Sequence, residues 1–405
     1  MTRTSSADWR TPTVVLVAGG IILMLAMGIR HGFGLFLQPI SSDLGWGRET
    51  FALAIAVQNL VWGATQPFAG MVSDKFGSAR VVIGGSLLYA LGLVLMANAT
   101  APWLFIITAG VLIGTGLSGV TFSVISGVLG RRVSPEKRSM ALGISAAAGS
   151  FGQFAVLPLT QWLLTNVGWH FALLTLAGVA LLIAPMAAAL VERPELQVAT
   201  FKQSAGQAVK EALGHKGYVL LTLGFFVCGF QVVFVGVHLP AYLADKGLPM
   251  HVAVMALALI GLFNIVGTYV AGWLGGRMSK KYILSFIYFA RAVVFALFFW
   301  LPVSVASVYA FAIALGLLWL STVPVTNGMV AQIFGVRYLA MLSGLTFFSH
   351  QIGSFLGAWL GGKAYDLTGN YDAVWYLSIA LGIVAGLINL PINEQPIRRP
   401  DVQPA

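Results

Sequence analysis

Twelve stretches of about 20 mostly apolar residues follow one another along this chain, and that pattern leaves it few possible folds. They cover 12–40, 49–71, 79–98, 102–129, 138–163, 168–191, 217–243, 250–274, 282–301, 304–333, 338–362 and 372–391. A helix of about 20 residues crosses a hydrocarbon core roughly 30 Å thick. Lipid cannot hydrogen-bond the backbone, so a crossing segment must be a helix or part of a closed barrel, and runs this long predict helices. Composition agrees: 58% of the 405 residues are hydrophobic and 9% are charged, where soluble chains carry about 25% charged residues. The expected fold is an all-α membrane protein with twelve transmembrane helices. The first run is too long for a cleaved leader, and eleven more follow it.

A net charge of +10 points to membrane orientation and not to nucleic acid, because the basic residues sit in short loops between apolar runs. Twelve crossings put both termini on one side. Eighteen of the 23 basic residues fall in loops on that side, while the opposite loops hold only Arg48, Lys246 and Lys363. Both termini are therefore expected in the cytoplasm, with the chain multi-pass in the cell (inner) membrane. The lone cysteine, Cys228, excludes a disulfide framework.

A mixed-charge segment at 192–216 divides the chain into an N-terminal six-helix bundle, 1–191, and a C-terminal one, 217–405. The segment itself is expected to be a central cytoplasmic loop, part of it a short amphipathic helix at the membrane surface. The two parts repeat. Gly34, Leu37, Asp43 and Gly45 recur 202 residues later as Gly236, Leu239, Asp245 and Gly247. Ala69, Gly70 and Lys75 recur as Ala271, Gly272 and Arg277, and Gly149-Ser150-Phe151 recurs as Gly353-Ser354-Phe355. Trp169 and Trp375 open the sixth and twelfth runs. Two pseudo-symmetric bundles in tandem are the layout of a secondary transporter with its site near the midplane.

The loop after the second run reads Gly70-Met-Val-Ser-Asp74-Lys75-Phe-Gly77-Ser-Ala-Arg80. Gly70 lets a neighbouring helix approach, Asp74 suits a helix N-terminus, Gly77 allows a tight turn, and Lys75 and Arg80 suit an anionic membrane face. With the topology, this segment resembles the signature loop of the major facilitator superfamily. The resemblance implies that Gly70, Asp74, Lys75, Gly77 and Arg80 are gating residues that latch the two bundles. In the second copy Gly276 stands where the acid belongs. Two further segments are similar to bacterial monocarboxylate and oxalate/formate carriers: Arg30-His-Gly-Phe-Gly-Leu-Phe-Leu-Gln-Pro with Leu44-Gly-Trp, and Glu136-Lys137-Arg138-Ser-Met-Ala141-Leu-Gly143.

None of the thirteen acids lies mid-span, yet Arg30 and Arg291 do. A charge there costs about 2.5–3.5 kcal/mol on insertion scales and demands a partner. A guanidinium matches a carboxylate fork, so an anionic substrate is expected to complete Arg30, on a first helix that in the family lines the cavity. Arg291, on the ninth run, reads as interhelical glue. His350 and His31 are candidates for substrate contact and for handling the coupling proton. Gln58, Asn59, Gln153, Gln231, Asn264 and Gln351 are uncharged candidates for substrate contact, and Trp319 is a candidate wall for a planar substrate. Each also suits a helix–helix hydrogen bond or the packed core.

There is no HExxH, GxSxG or phosphate-binding GxxxxGK[ST] motif, so the chain is not expected to be an enzyme or to hold a metal or other cofactor. The sequence reads as a monomeric secondary carrier that moves a small organic anion, a carboxylate in its relatives, by alternating access with proton symport. Its partners are then a small-molecule substrate, protons and the lipid bilayer. The alternative is a carrier or exporter of a larger neutral heterocyclic or drug-like compound. The eighth run favours it, offering Asn264 and Thr268 but no charge.

Overall fold

The computed structural model describes residues 9–133, 135–191, 204–335 and 338–397. The side chains of Asp74, Arg131 and 135–140 lie outside that description. No strand occurs among the described residues. A first set of helices comprises α1 (Pro12–His31), which passes through a 3-10 turn (Gly32–Phe36) into α2 (Leu37–Leu44), then α3 (Arg48–Phe76), α4 (Ser78–Ala97), α5 (Pro102–Phe105), α6 (Ile113–Val120), α7 (Phe122–Arg132), α8 (Pro135–Leu181) and α9 (Ile183–Met186). The short α10 (Ala205–Gly214) falls in the segment read as part loop, part amphipathic helix. Ser204 and Gln207 close a reciprocal cap at its start. A second set follows: α11 (Lys216–Asp245), α12 (Met250–Gly275), α13 (Lys280–Trp300), α14 (Val305–Leu318), α15 (Thr322–Phe334), α16 (Leu339–Thr368) and α17 (Asp372–Asn389).

Nine helical stretches among the described residues are long and apolar enough to cross a membrane. One of them, Ala141–Leu190, is two crossings. At 47 residues α8 would be about 70 Å long if straight, but Gly168 breaks it at φ 76° and ψ 168°. Just past the break, the Trp169 indole donates to Asp43 at the end of α2. Ala188 then accepts from Arg10, beside the start of α1. The chain has crossed and come back. Helices α3 and α16 are as long as the others, 29 and 30 residues, but less apolar, because Gln58, Asn59, Gln66, His350 and Gln351 lie within them. With these, each of the twelve apolar runs has its helix.

Packing explains the polarity of those two helices. Helix α1 lies along α8 and α11 along α16, while α3 runs against α16 and α12 against α8. The last two pairs form the seams between the sets. Small residues let the backbones meet. A β-carbon on Gly152 would run into Met24 of α1, and one on Gly353 into Phe226 of α11. Gly34 would run into the Gly236 carbonyl oxygen, so this repeated pair of glycines meets where the two sets cross.

The seams close at the end where Arg48 lies, here called the far end; α1 begins at the near end. Arg48 forks onto Asp245, at 2.6 and 2.7 Å, and donates to the Tyr371 hydroxyl at 2.9 Å. The Arg48 guanidinium also covers the Tyr365 ring, 3.6 Å from its centroid. The Asp366 carboxylate accepts from the backbone N–H groups of Arg48 and Glu49, capping α3 from the second set. Trp359 donates to Glu49 at 2.8 Å. Toward the near end a β-carbon on Gly70, Gly143 or Gly344 would meet no described neighbour within 4 Å.

The Arg48–Asp245 pair is half-buried and bidentate, at the upper end of what partly exposed pairs contribute. A double-mutant cycle of Arg48→Gln and Asp245→Asn on thermal unfolding should return a coupling of about 1 kcal/mol. Strictly additive losses would show that the two charges act separately.

Candidate functional site

Arg30 closes the last turn of α1, where the 3-10 segment begins, and is 8% exposed. Its guanidinium makes one hydrogen bond among the described residues, from Nη2 to Asn59 Oδ1 at 2.8 Å. The buried Nε has no partner. The Phe33 ring stands 6.0 Å away, and no described carboxylate pairs with Arg30. Asn59 cannot rotate to offer its nitrogen instead, since Nδ2 is held by the Ile55 carbonyl at 2.8 Å. A desolvated charge with an open donor thus stands beside Asn59, the residue whose backbone carbonyl meets the second set.

The second set answers from α16. Gln351 donates Nε2 to the Asn59 carbonyl oxygen at 3.1 Å, crossing the seam. Its Oε1 lies 3.2 Å from His350 Nδ1, a contact that requires the hydrogen on Nδ1. Ser354 stands 3.3 Å from Gln351 Oε1 and 3.4 Å from His350 Nδ1. The imidazole stacks on Phe347 and tilts against Phe225. One turn toward the near end, Trp62 meets Phe347 edge-on. Arg30, Asn59, Gln351 and His350 are therefore brought together, as one polar path across the midplane.

The other polar candidates are engaged elsewhere. Gln231 donates to the Ser378 carbonyl at 2.9 Å and accepts from Arg291. Asn264 donates to Ser150 across the second seam and accepts from Thr268 and the Leu320 N–H. Gln58 donates to the Ala109 carbonyl, in the π turn Ile106–Leu112. His31 holds the Met27 carbonyl of its own helix at 2.7 Å. Gln153 donates to the Leu257 carbonyl at 2.9 Å. Trp319 is buried in the break between α14 and α15, with its indole N–H unpartnered. The other five side chains answer backbone or neighbouring groups, as polar residues inside lipid must.

Arg291 shows why a mid-span charge need not bind anything. The tenth crossing is interrupted between Leu318 and Thr322. Arg291 donates to the freed carbonyls of Leu318, at 2.6 Å from Nη2, and of Trp319. The Asn264 side chain takes the freed Leu320 N–H at 2.9 Å. Two neighbouring helices thus repair one broken helix.

In the loop between α3 and α4, Gly77 makes the turn at φ 91°. Lys75 and Arg80 are exposed, with Lys75 over the neighbouring Phe76 ring. The far-end residues Arg48, Asp245, Asp366 and Tyr371 were not singled out from sequence. The available signal was the scarcity of basic residues in that side's loops, which makes Arg48 conspicuous.

A sequence model described as "Major Facilitator Superfamily" matches residues 16–357. Monocarboxylate transporter 13 of Rattus norvegicus is 28% identical over 404 residues, covering 96% of this chain and 91% of that protein. An uncharacterized MFS-type transporter of Bacillus subtilis (strain 168), YcxA, is 24% identical over 378 residues, covering 89% and 90%. The crystal structure of a D-xylose–proton symporter superposes with a TM-score of 0.74 at 15% identity, covering 94% of this chain and 97% of that one. A bacterial homolog of the human lysosomal transporter Spinster, in an inward-facing and occupied conformation, gives 0.75 at 13% identity, covering 95% and 97%. At these identities the two structures speak for the fold.

The two arginines should separate in one measurement. Arg291→Ala strands the Leu318 and Trp319 carbonyls at about 1–3 kcal/mol each, and should lower Tm strongly. Whatever remains folded should bind ligand normally, read by isothermal titration on the purified variant. A ligand affinity that falls with Tm unchanged would reverse this assignment.

Proposed function

Since the chain belongs to the major facilitator superfamily and is a membrane transporter, not an enzyme, we propose that it carries a small organic anion bearing one carboxylate. The observation behind this reading is the Arg30 guanidinium: buried, held by one neutral amide, with Nε unpartnered. A carboxylate accepts two parallel N–H bonds and cancels the charge. The names of the monocarboxylate transporters among its relatives support the same class. Asn59, Gln351 and His350 complete the proposed substrate environment.

Transport proceeds in this reading by alternating access, with the bundles 1–191 and 217–405 rocking about the midplane and 192–216 linking them. Both termini lie in the cytoplasm of a cell whose inner membrane holds the monomer. The closed far end is then the outer gate, and the near end opens inward. The loop with Gly70, Asp74, Lys75, Gly77 and Arg80 latches the inner side in the opposite state. His350 carries the coupling proton in this reading, because its imidazole lies beside Gln351 on the polar contact between the two sets.

Arg30→Lys should weaken carboxylate binding although the charge stays, because an ammonium cannot form the planar fork. Arg30→Ala should cost about 1.5–3 kcal/mol, roughly ten- to a hundredfold in affinity, while the protein still inserts. Titration of the purified variants with a panel of carboxylates and neutral heterocycles checks this. Normal carboxylate affinity in both variants would transfer the site to the neutral, heterocyclic or drug-like class of substrate.

His350→Gln should flatten the pH dependence of uptake into proteoliposomes between about pH 5 and 8. Counterflow exchange, which moves no net proton, should survive better. An unchanged pH profile would pass the proton to His31 or to the substrate itself.

A further inference from the structure

The side chain that faces Arg30 is a neutral amide and not a carboxylate. We propose that Asn59 is a positioning residue for the anion site: it aims the Arg30 guanidinium without neutralising it. The inference rests on the anion-carrier reading above.

Three observations carry it. Asn59 Oδ1 is the acceptor for Arg30 Nη2, at 2.8 Å. The amide cannot flip, because Nδ2 is committed to the Ile55 carbonyl. The Arg30 Nε nevertheless remains without a partner in a buried setting. An oxygen fixed on one nitrogen holds the guanidinium plane and leaves the rest of its donors for a ligand. An aspartate at this position would place a full negative charge 2.8 Å from the guanidinium and fill it permanently. Arg291 is the contrast within the same protein. Its Nε and both terminal nitrogens are met by Leu318, Trp319 and Gln231, leaving nothing to offer.

The neutrality of residue 59 is therefore what keeps the charge available. A side chain present only for packing would lower stability when changed, in whatever direction its charge moved. An orienting amide beside an unsatisfied cation behaves differently: the acid should abolish the response to anions in protein that is still folded.

The test uses the full-length protein in detergent, with benzoate and pyruvate as probes and Tm as readout. Wild type should gain Tm with one or both probes. Asn59→Asp should lose the probe-induced shift, because its carboxylate pairs with the guanidinium while giving up the donor to the Ile55 carbonyl. Asn59→Ala should lower probe affinity about tenfold, and adding Arg30→Ala to it should cost less affinity than Arg30→Ala costs alone. The proposal is overturned if Asn59→Asp keeps the wild-type response, or if it unfolds while Asn59→Ala binds the probes normally. If wild type responds to neither probe, the carboxylate reading fails first. The stability cycle then still decides the role of Asn59: Arg30→Ala should lower Tm more in the Asn59→Asp background than in wild type, and an equal or smaller loss refutes the proposal.

Discussion

Hydrocarbon offers a polar group no partner, and that one constraint orders this protein from its backbone to its site. It makes every crossing a helix. It also turns polar side chains toward backbone carbonyls and neighbouring helices for a hydrogen bond. The two crossings that are least apolar, α3 and α16, are the two that face each other along a seam. Gln351 crosses that seam to Asn59, and Asn59 holds Arg30.

The same constraint accounts for what the sequence disclosed. Twelve long apolar runs were legible because length and hydropathy need no knowledge of neighbours. The repeat was legible too, and the contact of Gly34 with Gly236 gives it a physical meaning. The candidate site was legible only in part. Depth along a run identified Gln231, Asn264 and Gln153 as mid-membrane, but depth does not say which face a residue takes. Nor does it say whether a π turn or a helix break nearby has freed a backbone group. The carbonyls at Leu318 and Trp319 decide the fate of Arg291, and no side-chain pattern in the sequence announces them. Arg30 and Arg291 both lacked an acid within the spans, and Arg30 was set apart by its place on the first helix, which in the resembled family lines the cavity.

The far-end closure follows a different logic from the midplane. Arg48, Asp245, Asp366 and Glu49 are charged and half in water, so their bonds break and re-form at small cost. The midplane contacts are neutral amides against glycine. Gln351 lies against Gly63 and Gln153 against Gly261, with a β-carbon on either glycine only 2.8 or 3.0 Å from the glutamine Cβ. Each glutamine donates to the carbonyl one turn away from its glycine, Asn59 or Leu257. Two matching buried contacts flank the midline, while the charged contacts cluster at one end. That arrangement suits a pivot in the middle and a releasable clasp at the far end.

The two seams match in backbone geometry and differ in what they carry. At Leu257 the carbonyl accepts a glutamine and the side chain is apolar. At Asn59 the carbonyl accepts a glutamine and the side chain holds Arg30. Counted 202 residues on, as Gly236 is from Gly34, Arg30 corresponds to Val232, so the buried cation has no second copy. Asp43 and Asp245, a matched pair in sequence, have parted likewise: one holds Trp169 within its own set, the other holds Arg48 across the seam. The repeat supplies two bundles that fit each other. A buried cation at one of two matched positions, and a charged clasp at one end alone, both require the copies to differ.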